Sequence, residues 1–399
     1  MQTVILSRTS RVLAGHLWVF SNELSGSPRG FEAGSIVEIR DRKNTFLGIG
    51  YINPNSLISV RILSRERVDI DAGFFKKRIL NALEYRRRFV KDPLGADAAF
   101  RAVYSEADLL PGLIIDRYAG CVSMQFHTLG MERLSDAVVA AVDEIFSPVT
   151  IVFKNDSAIR ALEGIPLEKK IVKGSLEKLP LVRIGDSMFE VDPMAGQKTG
   201  FFLDQSENRA AFSALINKSG IAKSGYSGLD LFCYTGAWSI AAAKRENVAV
   251  TGVDSSEVAV AQAGRNAELN GLAEKCAFVK SDVFEFIKAE TAGKSSYDFI
   301  SLDPPAFVKS KAKLAEGVRA YRQINADAMR LLKRGGLLAT SSCSFHVDRN
   351  TFIEALRDAA RDAGRFCRII ETRSQSKDHP VSLNVPETEY LKCVIMEVG

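Results

Sequence analysis

The sequence is poor in the residue patterns that build disulfide scaffolds and metal sites. Its six cysteines are scattered over 399 residues, with no CxxC pair and no histidine cluster beside them. This spacing argues against a disulfide framework and a zinc site, and it indicates a reducing compartment. Long apolar runs are absent too, since no stretch approaches the ~20 residues that span a bilayer. The first residues also lack the pattern of a secretory signal. We therefore expect a cytoplasmic protein with no bound metal and no membrane partner.

Acidic residues are scarce in the first part of the chain. Residues 1–91 contain sixteen Lys and Arg against eight Asp and Glu, although the whole chain carries a net charge of only +5. The remaining residues are slightly acidic. Such an asymmetry indicates that the N-terminal part faces a polyanion.

The secondary-structure pattern divides the chain into three predicted domains. Residues 1–72 read as short strands separated by turns, which predicts a small β-barrel. Residues 73–190 predict a central α+β domain that begins with a basic helix. Residues 191–399 alternate strands with helices, which predicts a doubly wound, mostly parallel sheet. The expected fold class is therefore α/β, with two smaller domains before the doubly wound one.

The alternating pattern in the last domain gives approximate bounds for its elements. Strands are expected at 227–232, 249–253, 276–280, 297–302, 336–342 and 391–397. Helices are expected at about 206–217, 237–246, 256–270, 283–290, 317–333 and 349–363.

Two basic triplets lie in the first predicted helix of the central domain. They consist of Lys76, Lys77 and Arg78, and of Arg86, Arg87 and Arg88. Positions 77 and 88 are eleven residues apart, about three helical turns, so the triplets are expected to share a face. A solvated helix face is the alternative. The absence of acidic residues within either triplet favours contact with RNA phosphates.

The third domain contains a predicted nucleoside-cofactor site. The strand ending near Asp230 leads through Phe232 and Tyr234 to a turn at Gly236, where a helix N-terminus offers free N–H groups. The next two strands are followed by Asp254, a candidate acceptor for ribose hydroxyls, and by Asp282, a candidate acceptor for the adenine amine. A full G-x-G-x-x-G pattern is absent, which favours S-adenosylmethionine over a dinucleotide. The alternative is that these aspartates only cap helices.

A rigid loop follows the fourth strand of this domain. The two prolines after Asp303 restrict the backbone and hold the carboxylate towards the predicted pocket. In amino-methylating enzymes an aromatic residue directly follows such a Pro-Pro pair. Here Ala306 comes first and Phe307 follows. The order makes methylation of an exocyclic amine less favoured.

Cys343 follows the fifth strand, between two serines, and is the candidate nucleophile. Free cysteine is commonly a small buried hydrophobic residue, and that alternative suits most of the other five. Cys233 lies in the cofactor turn and is a second, weaker candidate. Cytosine C5 is too weak a nucleophile to take a methyl group unless a thiolate first adds to C6. No second cysteine lies near Asp303, so the base that removes the C5 proton stays unassigned.

The chain resembles, over essentially its whole length, the bacterial large-subunit rRNA 5-methylcytosine methyltransferases that carry an N-terminal PUA domain, which are class I S-adenosylmethionine-dependent enzymes. The resemblance rests on segments 16–21, 108–118, 196–209, 230–236, 302–307 and 342–344. The run Lys-Thr-Gly-Phe-Phe-Leu-Asp-Gln at 198–205 discriminates best. One departure is Ala237, where a second glycine is common.

The resemblance implies a site and its partners. Cys343 would be the nucleophile with Asp303 beside it, Asp254 would hold the ribose, and Asp282 the adenine. The 198–205 run borders the cofactor in the family. The cofactor residues are then Phe202, Asp204, Gln205, Asp230, Phe232, Tyr234, Gly236, Asp254, Asp282 and Asp303. Lys198 joins the two basic triplets as an RNA contact. The implied partner is large-subunit rRNA. The sequence leaves the oligomeric state open, with a homodimer as one alternative.

Two other functions stay open at this stage. The same fold could methylate a guanine nitrogen of RNA or a small molecule without covalent catalysis. A non-catalytic RNA-binding factor with a decayed pocket is the other alternative. The aspartates and Cys343 argue against decay, and Cys343 together with the PUA-like part argues against the first alternative.

Overall fold

The structure is a computed structural model that describes residues 1–216, 225–308 and 310–399. The described chain divides into two compact units. The first consists of residues 1–183, 191–204 and 377–388, and the second of residues 184–190, 205–376 and 389–399. The predicted three-domain boundaries stay a prediction. Within the described ranges, no helix has the length and apolar character needed to cross a membrane.

The first unit opens with a five-stranded sheet in the order β1-β3-β4-β5-β2. Its strands are β1 (Gln2–Leu6), β2 (Trp18–Val19), β3 (Ile36–Asp41), β4 (Phe46–Ile52) and β5 (Val60–Ser64). A short helix, α1 (Ser10–Leu13), lies between the first two strands. The inward side chains are mostly Val, Ile and Leu, and they form one buried cluster. β-Branched residues suit this pleated surface, as the strand-rich pattern predicts.

A second five-stranded sheet of the first unit has the order β10-β9-β8-β7-β6. Its strands are β6 (Ala99–Tyr104), β7 (Leu113–Tyr118), β8 (Cys121–Phe126), β9 (Thr150–Asn155) and β10 (Glu168–Lys173). The accompanying helices are α2 (Ala72–Arg86), α3 (Leu129–Arg133), α4 (Ser135–Phe146) and α5 (Ile159–Leu162). One face of the sheet packs with α2 and α4 into a single apolar core. This arrangement matches the predicted α+β pattern.

The second unit is built around a seven-stranded sheet in the order β15-β14-β13-β16-β17-β19-β18. Its strands are β13 (Tyr226–Leu231), β14 (Val248–Asp254), β15 (Cys276–Lys280), β16 (Tyr297–Leu302), β17 (Leu332–Ser342), β18 (Cys367–Arg373) and β19 (Lys392–Val398). The first five pair in parallel, whereas β19 is antiparallel to both neighbours. Two further strands, β11 (Leu181–Ile184) and β12 (Ser187–Glu190), form a small sheet of their own.

Six helices accompany the large sheet in the described part of the chain. They are α6 (Ser206–Ile216), α7 (Ala237–Ala243), α8 (Glu257–Leu269), α9 (Val283–Ala292), α10 (Leu314–Arg330) and α11 (Arg349–Ala363). Every predicted strand and helix of this region has a counterpart, and position 217 of the first predicted helix lies outside the described residues. The α/β fold class is confirmed. Because ligands in such sheets bind at the carboxyl ends of the parallel strands, this topology brings the loops after β13, β14, β15, β16 and β17 to one edge.

The structure corrects one predicted RNA contact, that of Arg86. The Arg86 side chain is completely buried. Its guanidinium donates to both carboxylate oxygens of Asp108, at 2.6 and 2.7 Å, and to the backbone carbonyls of Arg101 and Asp378. A guanidinium with these partners inside the protein cannot reach a phosphate. Arg86 is therefore part of the internal polar structure of the first unit.

The corrected role of Arg86 predicts a stability effect. Removing one partner of a buried ion pair leaves an uncompensated charge and costs about 3–5 kcal/mol. Arg86→Ala should therefore lower the free energy of unfolding by about that amount, measured as an earlier first transition in urea. Arg87→Ala is the matched control, because Arg87 is exposed and pairs with Glu84 one helical turn away. Its effect should stay within about 0.5 kcal/mol. Equal midpoints for the two variants would contradict the buried role of Arg86.

Candidate active site

The turn after β13 has an unusual backbone conformation. Phe232 and Tyr234 adopt φ angles of +64° and +48°, and Gly236 adopts +80°. Left-handed conformations are uncommon for residues with side chains, and they concentrate at functional sites. At Gly236 a Cβ atom would also lie 2.9 Å from the Phe278 ring. The turn therefore needs glycine at its end and brings the chain tightly into α7.

Asp254 holds this turn from the neighbouring strand. Its Oδ2 accepts a hydrogen bond of 3.0 Å from the backbone N–H of Tyr234. Its Oδ1 accepts one of 2.9 Å from the N–H of Ser256. Ser256, and not Asp254, caps α8. Because each carboxylate oxygen can accept more than one hydrogen bond, this half-buried group retains acceptor capacity for a ligand.

Asp282 is exposed and caps α9. Its Oδ1 accepts from the N–H groups of Phe284 and Glu285, at 2.9 and 3.1 Å. The capping alternative raised by the sequence thus describes one oxygen of this carboxylate. The Phe284 side chain is exposed, and its ring centroid is 6.4 Å from that of Phe232.

Asp230 lies beneath the turn and is completely buried. The backbone N–H and hydroxyl of Ser239 donate to its Oδ2, and the Ser301 hydroxyl donates to its Oδ1. Burial raises the pKa of Asp230 to about 6 despite these hydrogen bonds. Asp230 therefore joins β13, α7 and β16 from inside the second unit.

The unit boundary falls between Asp204 and Gln205. In the first unit, the Lys198 ammonium donates to Asp204 at 2.5 Å and lies 4.5 Å from the centroid of the Phe202 ring. Thr199 hydrogen-bonds to Tyr118 and to Asp116, two residues of β7, which fixes the segment 198–204 to that strand. The three residues predicted at positions 198, 202 and 204 are thus brought together within one loop.

In the second unit, Gln205 links the Asp303 loop to the end of β17. Its side-chain amide donates to Asp303 Oδ1 at 2.9 Å and to the Ser341 hydroxyl at 3.0 Å. Asn208 in turn donates to the Gln205 carbonyl oxygen at 2.7 Å, which fixes the orientation of the amide. Trp238 donates from its indole N–H to Asp303 Oδ2 at 3.3 Å. The Asp303 carboxylate is therefore held at both oxygens.

Ser344 links the Asp303 loop to the Cys343 loop. Its hydroxyl accepts from the backbone N–H of Val308 at 3.1 Å and lies 2.9 Å from the Tyr321 hydroxyl. Val308 belongs to the loop that begins at Asp303, and Ser344 directly follows Cys343. Strands β16 and β17 also pair side by side, with Leu302 opposite Thr340. The thiol and the Asp303 carboxylate thus lie on adjacent loops that are hydrogen-bonded to each other.

The cysteines differ in their surroundings. Cys343 is partly exposed, whereas Cys233 is buried. Burial raises the pKa of the Cys233 thiol well above its ordinary value, and the nearby Asp230 and Asp254 raise it further. Burial also raises the thiol pKa of Cys121, Cys276, Cys393 and Cys367. Only a thiolate is a strong nucleophile, so these surroundings favour Cys343 over Cys233.

The remaining predicted RNA contacts lie in and just after α2. Lys77, Arg87 and Arg88 are exposed, and α2 ends at Arg86, so Arg88 lies beyond the helix. Lys76 pairs with Glu144. Arg78 is partly buried, donates to the Leu63 carbonyl at 3.1 Å and stacks on Phe74. Lys77 and Arg78 line a cavity of about 630 Å³ in the first unit.

Trp238 and the Ser344 hydroxyl gain their roles through partners far away in the chain. Trp238 directly follows the glycine turn, which is the one local feature that could have indicated it. Within the described residues, no group of His, Cys, Asp and Glu side chains could hold a metal ion.

Comparison with known proteins agrees with the observed fold. Residues 4–65 match the model of a PUA-like domain, and residues 222–382 match that of a methyltransferase domain. A methyltransferase from Streptococcus mutans, provisionally assigned as SAM-dependent, superposes with a TM-score of 0.81 at 22% identity over 100% of both chains. A second provisionally assigned methyltransferase, solved in complex with SAH, gives 0.82 at 21% identity, again over 100% of both chains. These likenesses support the fold.

Curated sequences are similar over almost the whole chain. The ribosomal RNA large subunit methyltransferase I of Pseudoalteromonas atlantica is 34% identical, over 98% of this chain and 97% of its own. That of Pseudoalteromonas translucida is 36% identical, over 96% and 95%. The predicted PUA-like and methyltransferase parts are confirmed. The chain belongs to the ribosomal RNA large subunit methyltransferase I family.

Proposed function

We propose that this protein transfers a methyl group from S-adenosylmethionine to C5 of a cytosine in large-subunit rRNA through a covalent adduct of Cys343. The observation that carries the proposal is the partly exposed Cys343 thiol on a loop hydrogen-bonded to the Asp303 loop. The family relatives are named as large-subunit rRNA methyltransferases, which supports the RNA substrate. The cytoplasmic location and the homodimer stay predictions.

The residues around the β13 turn fit S-adenosylmethionine. Asp254 has acceptor capacity left on a carboxylate that already fixes the turn, which suits two ribose hydroxyls. The free oxygen of Asp282 and the Phe284 ring suit the adenine, and the α7 N-terminus offers N–H groups. When bound, this cofactor supplies an electrophilic methyl group on a sulfonium. Phe202, Asp204 and Gln205 keep the cofactor role that the resemblance implies.

The chemistry assigned to Cys343 balances in three steps. The thiolate adds to C6 of cytosine and turns C5 into an enamine carbon. C5 then forms a bond to the methyl group as the sulfur–methyl bond breaks, and the electron pair of that bond stays on the sulfur. A base then removes the C5 proton. The electron pair of that C–H bond restores the C5–C6 double bond and expels the thiolate. The Asp303 carboxylate can accept a hydrogen bond from the cytosine amine, and Gln205 and Trp238 hold it in a fixed orientation for that contact.

The nitrogen-methylating alternative receives less support from the residues around the Pro-Pro pair. The Phe307 ring, one position later than in amino-methylating enzymes, lies 4.8 Å from the centroid of Tyr321. Tyr321 is completely buried. Phe307 thus packs against the interior of the second unit, whereas an aromatic residue that stacks on an amine substrate has to face the pocket.

Cofactor affinity should depend on Asp254. Hydrogen bonds to a charged acceptor contribute about 1.5–3 kcal/mol each, so Asp254→Ala should raise the dissociation constant of S-adenosylmethionine at least tenfold by calorimetry. Glu257→Ala is the control, because Glu257 is an exposed carboxylate three residues further on that pairs with Lys280. Unchanged affinity in Asp254→Ala would remove this residue from the cofactor site.

RNA affinity should depend on the exposed basic residues of the first unit. Reversing Lys77, Arg87 and Arg88 to Glu should weaken binding and reduce the slope of log K against log salt by about one for each phosphate that the protein no longer neutralises. The control carries the same charge change at exposed positions in the second unit: Lys288, Lys294 and Arg334. If both triple variants change the slope equally, the basic residues around α2 are only a solvated surface.

Covalent chemistry should be visible with 5-fluorocytosine RNA, because fluorine cannot leave as a proton and the adduct persists. The wild type should form a complex with this RNA that survives denaturing gel electrophoresis. Cys343→Ser should lose both the complex and methylation while it still binds S-adenosylmethionine. Cys233→Ser is the matched control and should still form the complex. Methylation retained in Cys343→Ser and lost in Cys233→Ser would show that the other thiol reacts. Methylation in both variants would favour the nitrogen-methylating alternative.

A further inference from the structure

A buried lysine lies beside the Cys343 loop, on a strand that is antiparallel to β17. Lys392 is the first residue of β19, and its Cα pairs with that of Ser342, the last residue of β17. Because β19 runs antiparallel to β17, its beginning lies at the carboxyl edge of the parallel strands. The Lys392 side chain is only 5% exposed. Burying an ammonium group is costly unless it finds acceptors or a negative charge.

The Lys392 ammonium binds the backbone on the far side of Cys343. It donates to the Ser344 carbonyl at 2.8 Å and to the Tyr390 carbonyl at 2.9 Å. These two carbonyls are its hydrogen-bond acceptors among the described residues. An ammonium group has three N–H donors, so one of them is left over next to the loop that carries the thiol. With Ser342 paired opposite Lys392 and Ser344 bound to its side chain, Cys343 is flanked on both sides by residues that Lys392 contacts.

The charges around Lys392 point to the thiol. Burial lowers the pKa of Lys392 to about 8. Among the ionisable groups, a negative charge on Cys343 raises the pKa of Lys392 most, followed by Glu389 and Asp348. Arg349 lowers it further. On the other side of the loop, Cys343 also contributes to the raised pKa of Tyr321, after the larger effect of burial. Coulombic attraction is mutual, so a cation favoured by a thiolate also favours that thiolate.

We propose that Lys392 is a positioning residue for Cys343, which fixes the loop through the Ser344 carbonyl and keeps a positive charge beside the thiol so that the thiolate forms. This inference rests on the proposed nucleophilic role of Cys343. The ammonium stabilises the thiolate before it attacks C6 and again when it leaves the methylated base. It takes part in no bond that forms or breaks.

The test is the pH dependence of Cys343 alkylation by iodoacetamide in the full-length protein, followed for each peptide by mass spectrometry. Iodoacetamide reacts with the thiolate, so the midpoint of the rate profile reports thiol ionisation. An opposite charge close by shifts such a midpoint by about one unit or more. Lys392→Met, of similar shape but neutral, should therefore raise the midpoint by about one pH unit and slow alkylation at pH 7 about tenfold. Lys392→Arg should restore most of the wild-type rate.

Two controls separate this role from general damage to the fold. Cys367 is also partly exposed and lies on β18 opposite Val398, at the other end of β19 from Lys392. Its alkylation profile should be the same in all three proteins. Binding of S-adenosylmethionine should also be unchanged, since Lys392 contacts none of the residues assigned to that cofactor. A loss of structure would change both controls, whereas a loss of charge beside Cys343 changes neither.

An unaltered Cys343 midpoint in a folded Lys392→Met protein would overturn the inference. If that variant does not fold, the wild-type protein provides the test. A Cys343 midpoint at or above the ordinary thiol value of ~8.5 in the wild type contradicts a stabilised thiolate.

Failure of the proposed function can be distinguished from failure of this inference. A wild type that traps 5-fluorocytosine RNA while Lys392→Met keeps its midpoint rejects only the role of Lys392. The opposite result is a low Cys343 alkylation midpoint that rises in Lys392→Met, in a wild type that forms no complex with 5-fluorocytosine RNA. It supports the pairing of Lys392 with the thiolate and rejects covalent methylation.

Discussion

The hydrogen-bonded connection between the loops after β16 and β17 is the constraint on which the site depends. The two strands pair in parallel, so their carboxyl ends lie side by side at one edge of the sheet. Gln205 joins Asp303 to Ser341, and Ser344 joins the second loop back to Val308. Neither loop can shift without breaking a hydrogen bond to the other. The spacing between the thiol and the carboxylate is thereby set by the sheet rather than by flexible loops.

The cofactor end of the site depends on a different kind of constraint. The β13 turn stores unfavourable backbone conformations at Phe232 and Tyr234, and such conformations persist only where surrounding contacts impose them. Asp254 accepts a hydrogen bond from the turn itself, and Asp230 accepts one from Ser239 in α7, directly after the turn. Two carboxylates at consecutive strand ends thus have different tasks. The half-buried one keeps acceptor capacity for a ligand, while the completely buried one joins three elements.

Much of this could be predicted from sequence because it is local. Strand and helix positions in the second unit follow from hydrophobic alternation, and the loops after the strands follow from the parallel topology. The predictions missed β18, whose segment 367–373 mixes Arg and Glu with isoleucines. As an edge strand with exposed side chains, it lacks the apolar run of its buried neighbours. They also placed the start of β17 four residues late, at 336 instead of 332, because Lys333, Arg334 and two glycines do not resemble a buried strand.

The contacts that sequence could not provide are those between distant residues. A triplet of arginines gives no sign that its first member meets Asp108 inside the protein while the other two face solvent. Lys392 is an equally clear case. It lies 49 positions after Cys343, in an ordinary-looking strand, and only the antiparallel insertion of β19 brings it to the edge of the sheet where Cys343 lies. The role of a charged residue in particular depends on which partner the fold places next to it.

The central claim, methylation at C5 of cytosine, is tested most directly with RNA that carries tritium at C5 of its cytosines. Transfer to C5 has to expel the hydrogen at that carbon. The proposed chemistry predicts one tritium released into water for each methyl group incorporated, and release that is lost in Cys343→Ser. Methyl incorporation without tritium release would contradict C5 as the acceptor and place the methyl group on another atom.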